Sequence, residues 1–179
     1  MRGLILCPGP SLTRSLEVAG EDVDAAHRII VVNRARDFTP WHDWWVAGDI
    51  HSNPKNLGGP VDQRTRLGLC SIGAAARPAG VEWRAWSELP FSVTPTSYSS
   101  IAALALAWSL GCTEIAVLGA DMDGTTYAGN RPMPADADPG RWEHERILWE
   151  GMAATIRSHG VRVHRLAQPL GGGPLALAT

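Results

Sequence analysis

The stretch LILCPGPSL, residues 4–12, is an apolar run that stops at Pro8-Gly9-Pro10-Ser11 and then turns amphipathic. Strand, tight loop and helix, in that order, is where many proteins hold a phosphate on backbone N–H groups at a helix N-terminus. Proline has no N–H. The donors this loop can offer are therefore the Gly9 N–H, the Ser11 hydroxyl and the N–H groups of the helix opening near Leu12 and Thr13. Gly9 also lets a ligand approach the backbone closely. The loop is not the Gly-x-Gly-x-x-Gly of a dinucleotide site. Three more polar residues close apolar runs: Asn33 ends RIIVVN, Asp49 follows WWVAG and Asp121 follows IAVLGA. One such residue is ordinarily a turn former or a helix cap, but three at equivalent positions point to a shared site. Asp121 and Asp123, in DMD, have the Asp-x-Asp spacing that holds a divalent metal on a nucleotide diphosphate. His144 shares a helical stripe with Leu148 and Met152, at i+4 and i+8, which is expected to be the face towards the sheet. Near the start of its helix it would sit at the crevice end, as a candidate proton acceptor or as a histidine bonded to backbone.

These residues need strands and helices to bring them together. Apolar, β-branched runs recur at Leu4–Cys7, Arg28–Asn33, Trp44–Ala47, Leu67–Ile72, Glu114–Leu118 and Val161–Leu166. Being nearly continuous rather than alternating, most are expected to be buried on both faces, as in a parallel sheet. Helical patterns lie between them. Ser11–Ala19 has Ser11 as its expected N-cap and Gly20 as its stop. SYSSIAALALAWSLG puts Ile101, Leu104, Ala105 and Trp108 on one face, has Thr96 or Ser97 as its cap and ends at Gly111. A third helix opens at Asp138 and Pro139 and runs to His159. Strands alternating with helices give an α/β fold, a single Rossmann-like domain with a mostly parallel open sheet flanked by helices. The domain is expected over residues 1–168, followed by a Gly/Pro-rich tail, 169–179, that frays. Segments 50–60, 74–95 and 121–139 lack periodicity and are expected as crevice loops, the last as a flap or a linker.

Composition excludes several function classes. The chain has 179 residues, 45% of them hydrophobic and 19% charged, as in an ordinary globular domain large enough for its own core. Cys7, Cys70 and Cys112 are odd in number and far apart, which argues against a disulfide framework or a zinc site and for a reducing, cytoplasmic setting. The opening residues do not form a signal peptide, and IAALALAW is far shorter than the ~20 residues that cross a bilayer; no membrane partner is expected. A net charge of −2 argues against non-specific nucleic-acid binding. Lys55 is the only lysine; arginine in its place suits phosphates and carboxylates, and a GC-rich coding bias gives the same pattern. Trp41, Trp44, Trp45, Trp83 and Trp86 could stack a base or sugar, or fill space and a homo-oligomer surface.

LILCPGPSL, then VVNRARDF, then TSYSSIAALALAWSLGCTEIAVLGADMDGTTYAG, then a His-bearing helix followed by VRVHRL, together resemble the family 42 bacterial sialyltransferases. They equally resemble the related 6-hydroxymethylpterin diphosphokinase-like proteins. The resemblance runs from residue 2 to about 166, with gaps, and is most specific over residues 96–129. It implies that Gly9, Pro10, Ser11, Asn33, Thr96 and Ser97 bind a nucleotide, with Asp49 as a further nucleotide-binding candidate at the ribose-side position. It also implies that His144 is the general base and that Tyr127 assists departure of the nucleotide phosphate. The chain departs from the family where a glycine after Thr-Ser is Tyr98, a second tyrosine is Asp123, and a ribose-side asparagine is Asp49. The added carboxylates suit a Mg²⁺-dependent diphosphokinase, since Mg²⁺ bridges carboxylates and phosphates.

The function expected from the sequence is a transferase with a nucleotide-activated small-molecule donor, glycosyl transfer leading. His144, Tyr127 and Asp121 would act on the reaction; the acceptor would be a saccharide, a small metabolite or a modified nucleic-acid base. The alternatives are diphosphoryl transfer from ATP to a hydroxymethyl compound, with Asp49, Asp121 and Asp123 as candidate Mg²⁺ ligands, and a nucleotide-binding module without chemistry.

Overall fold

A computed structural model describes residues 1–20, 23, 25–39, 42–48, 65, 67–70, 80–89, 98–122, 126–132, 140–167 and 176–178. The apolar runs form β1 (Arg2–Leu6), β2 (Arg28–Val32), β3 (Trp44–Ala47), β4 (Leu67–Cys70), β6 (Glu114–Leu118) and β9 (Arg162–Ala167). A strand that periodicity did not signal, β5 (Glu82–Ala85), has only half-buried and exposed side chains because it lies at the sheet edge. These seven strands are all parallel, in the order β9-β6-β1-β2-β3-β4-β5. The fold is therefore a single α/β Rossmann-like domain.

The expected frayed tail needs correction. Ala176–Ala178 forms β10, antiparallel to β9 with Ala176 opposite Ala167, so the sheet does not end at residue 168. Within the expected flap, Thr126–Tyr127 (β7) and Arg131–Pro132 (β8) pair as a two-residue ribbon around Gly129, whose φ of 73° suits glycine.

Each sheet face carries its own core, because successive residues of a strand point to opposite sides. Ile5, Cys7, Ile30, Val32, Val117 and Val163 pack under two helices, α2 (Ser99–Ser109) and α3 (Arg141–Ser158). Leu4, Leu6, Val31, Trp45 and Leu118 pack under α1 (Leu12–Val18) and the 3₁₀ turn Asn33–Phe38. Residues 100–107 of α2 are all buried, so this helix has no solvent face; the expected single stripe through Ile101 and Trp108 is instead burial on every side. Gly111, just beyond its end, has φ 81°. In α3 the buried stripe is Glu145, Trp149, Ala153 and Ile156. The expected stripe of His144, Leu148 and Met152 is thus off by one residue: Leu148 is 38% exposed. Fully buried Trp149 explains the choice, since its ring removes more apolar area from water than leucine does.

Trp44, Trp45 and Trp86 are buried and serve packing, with the Trp83 ring 5.2 Å from that of Trp45 and tilted 54° to it. Trp41 lies outside the described residues. Cys7, Cys70 and Cys112 are buried and unbridged. No helix among the described residues is long and apolar enough to cross a membrane.

Candidate functional site

From β1 the chain moves outward through β2, β3, β4 and β5, then returns by α2 to place β6 on the other side of β1. The reversal between β1 and β6 is a topological switch point, and in open α/β sheets the crevice beyond the strand ends there takes ligands. The two loops that meet at this point are Cys7–Ser11 and Gly119–Met122.

They are laced together. The Cys7 N–H donates to Leu118 O at 2.8 Å and the Gly9 N–H to Gly119 O at 2.8 Å. The Ser11 N–H donates to Asp121 Oδ2 at 3.0 Å. A Cβ on Gly9 would run into the Asp121 carboxylate and the Gly119 carbonyl, and one on Gly119, where φ is 67°, into the Cys7 carbonyl. Both glycines are required by this close approach. The expectation that the Gly9 N–H is free for a phosphate does not hold, because that donor is engaged by Gly119. Ser11 stands at the N-cap position of α1, yet its side chain makes no capping bond. Asp121 reaches the Ser11 amide from across the switch point instead. Among the described residues the Ser11 Oγ is buried and has no hydrogen-bond partner. Pro10 follows Gly9 in the turn and contributes rigidity rather than a donor.

Asn33, at the end of neighbouring β2, has φ 47°, a left-handed conformation in which its Oδ1 is buried with no partner among the described residues and its carbonyl accepts the Trp45 Nε1–H at 3.0 Å. Met122, beyond β6, is 3% exposed with φ 53°. Two non-glycine residues in this conformation, both at the carboxyl edge, are the backbone strain that functional edges concentrate. Beyond β3 the Gly48 N–H donates to Ser99 Oγ at 3.0 Å, tying the start of α2 to the same edge.

The N-terminal ends of α2 and α3 meet over this edge. Tyr98, the N-cap of α2 in place of Thr96 or Ser97, brings its hydroxyl to 3.3 Å from His144 Nδ1 and 3.5 Å from the Arg141 carbonyl, to which it donates. Its ring meets the His144 ring edge-on at 5.8 Å, and the Arg141 guanidinium lies 5.7 Å from its centre. His144 is exposed at the rim, with Glu145 next to it turned inward. Glu145 is 7% exposed, accepts the Ser100 hydroxyl at 2.7 Å, and has Arg141 Nε 4.0 Å from its other oxygen. Burial first, then the charges of Glu145 and Asp121, push the Cys7 thiol far above its ordinary range. Cys7 is therefore a protonated, unreactive thiol, and two carboxylates bear on the end of β1.

Glu145 and Arg165 are residues of this edge that the sequence did not single out, and Tyr98 stood out there only as a departure from the family pattern. The one signal for Glu145 was its place in the helical stripe through Trp149. Arg165 lies in β9 two residues before its end, with its Nη1 3.4 Å from Ala120 O and 3.8 Å from Met122 Sδ. Tyr127 belongs to β7, whose neighbour Ala128 donates its N–H to Pro8 O at 2.9 Å and so places the ribbon beside the first loop; the Tyr127 side chain lies outside the described residues. Asp49, Thr96, Ser97 and Asp123 also lie outside them. Of the carboxylates considered for Mg²⁺, Asp121 alone is described, with one oxygen on the Ser11 amide. Among the described residues no three His, Cys, Asp or Glu side chains converge as a metal site.

No family model, curated protein or solved structure matches the chain.

Proposed function

We propose that the protein is a transferase that binds a nucleotide-activated donor at the β1/β6 switch point and passes a glycosyl group to an acceptor hydroxyl. One observation carries this reading. At the ends of adjacent β1 and β2, where an α/β sheet takes a ligand, Ser11 Oγ and Asn33 Oδ1 are buried and have no partner among the described residues, whereas buried polar atoms normally find partners within the protein. A donor that supplies both a hydrogen-bond acceptor and a donor completes them. Exposed His144, at the rim, takes the proton of the acceptor hydroxyl as its oxygen bonds to the sugar carbon. The carbon–oxygen bond to the nucleotide phosphate breaks, and the electron pair leaves on that phosphate. The resemblance of residues 96–129 to family 42 sialyltransferases supports the same roles for Thr96, Ser97 and Tyr127.

A second reading, diphosphoryl transfer from ATP to a hydroxymethyl compound with AMP leaving, is favoured by the Asp121 carboxylate that lies against the Ser11 amide at the phosphate-type loop. Mg²⁺ would supply phosphate neutralisation there, with Asp121 as its described ligand and Asp49 and Asp123 as further candidates. The test is incubation with a panel of nucleotide sugars and with ATP, with and without EDTA. Nucleotide release from a sugar donor that persists in EDTA is the expected result. AMP formation that requires Mg²⁺ would replace glycosyl transfer by the second reading. Binding without turnover on any acceptor would leave a nucleotide-binding module.

A further inference from the structure

We propose that Arg165 is an oxyanion-binding residue that holds the phosphate of the nucleotide donor at the end of β9; the identity of the phosphate carrier rests on the reading above, the anion site does not. Arg165 lies two residues after Val163 and so faces α3, with its guanidinium 5.7 Å from the ring centre of Trp149. Among the described residues the buried Arg165 Nε has no acceptor, and neither has the Nε1–H of fully buried Trp149. The other contacts of the guanidinium among them are a carbonyl at 3.4 Å and a thioether sulfur at 3.8 Å, both long and the second a weak acceptor.

No carboxylate pairs with Arg165 among the described residues. The nearest buried acid along α3, Glu145, is held by Ser100 and Arg141. Guanidinium and indole N–H groups only donate. With the Arg165 Nε and the Trp149 Nε1–H both lacking acceptors among the described residues, the pair is short of oxygen lone pairs and of negative charge, which is costly where those atoms are buried. An oxyanion supplies both, and the planar fork of arginine matches phosphate oxygens two at a time.

The opposite side of the crevice explains why the anion goes here. On the first loop, the Asp121 carboxylate already sits on the Ser11 amide and Gly119 takes the Gly9 amide, so a phosphate finds no free charge complement there. Arg165 reaches the same 120–122 turn from the other side. A donor lying across the turn would set its sugar or base towards Ser11 and Asn33 and its phosphate against Arg165.

The probes are inorganic pyrophosphate, a panel of nucleoside monophosphates and the matching nucleosides, titrated calorimetrically into wild type, Arg165→Gln and Arg165→Lys. Pyrophosphate and nucleotides are expected to bind Arg165→Gln about tenfold to a hundredfold more weakly than wild type. Nucleosides should bind both alike, and Arg165→Lys, with charge but no fork, should fall between. Equal phosphate affinity in wild type and Arg165→Gln, or no phosphate binding to wild type, overturns the proposal. Arg165-dependent pyrophosphate binding with no binding of any nucleotide keeps the anion site and removes the nucleotide reading. The unliganded melting temperature is a second measurement: Arg165→Met is expected to melt at or above wild type. A lowered melting point, or failure of both Arg165→Gln and Arg165→Met to fold, marks a structural arginine and overturns the proposal.

Discussion

The two edges of the central sheet are built on opposite rules. At the amino edge Arg2, Glu114 and Arg162 stand in register across β1, β6 and β9. Arg162 Nη2 meets Glu114 Oε2 at 2.7 Å, and Arg2 Nη2 lies 3.6 Å from its other oxygen. The Met1 amino group donates to Thr113 Oγ1 at 3.0 Å, and the Thr113 N–H to the Met1 carbonyl at 2.8 Å. Charges there are exposed or half-buried, alternate in sign and find one another. At the carboxyl edge Ser11 Oγ, Asn33 Oδ1 and Arg165 Nε are buried without partners among the described residues, and Asn33 and Met122 hold left-handed backbone. An edge that closes on itself needs no ligand. One that leaves donors and acceptors unsatisfied gives up stability where binding can recover it.

The sharpest way to break this contrast is at the rim. His144→Ala is expected to lower kcat by about 10²- to 10⁴-fold while nucleotide affinity and melting temperature stay near wild type. Unchanged turnover would remove the general-base assignment. Next comes the contact between the two loops. Gly9→Ala must displace the Asp121 carboxylate and the Gly119 carbonyl, at a cost of about 3 kcal/mol in urea unfolding; a neutral substitution there would mean that the loops do not touch.

A smaller effect separates capping from chemistry. Asp121→Ala removes the acceptor of the Ser11 N–H and is expected to cost about 1 kcal/mol. Asp121→Asn keeps an acceptor oxygen and should retain most of that stability. Loss of turnover in the asparagine variant at full stability would show that the carboxylate charge itself takes part in the reaction.

The smallest effect belongs to the amino edge. The hydrogen bond from Arg162, with help from the charge of Arg2, holds the Glu114 carboxyl below its ordinary range despite the opposing effect of partial burial. A carboxyl depressed in the folded state adds stability above its unfolded pKa and loses it as pH falls through the folded one. Stability should therefore drop slightly as pH falls below about 4.3, the ordinary glutamate value. Glu114→Gln should flatten that part of the curve. Arg162 is 69% exposed, so the contribution at neutral pH is under about 1 kcal/mol, with no change in nucleotide binding. A loss comparable to that of Gly9→Ala would erase the distinction between the edges.

The sequence by itself determined the sheet. Continuous β-branched runs such as RIIVV and EIAVL can be buried on both faces only in parallel pairing between helices, and β2, β3 and β6 lie where those runs lie. It also placed Pro8–Ser11, Asn33 and Asp121 at strand ends, because a polar residue closing an apolar run marks where the chain leaves the core. The partners of those residues were decided only by tertiary structure. Gly9 meets Gly119 and Ser11 meets Asp121 across 110 residues of chain, a pairing set by strand order, which hydrophobic periodicity does not encode. Strand β5 and the edge strand β10 escaped notice because edge positions carry little burial signal. The buried face of α3 turned on whether Trp149 or Leu148 entered the core. Periodicity allowed both stripes one residue apart, and packing against the sheet chose the one that turned His144 out to solvent and Glu145 in.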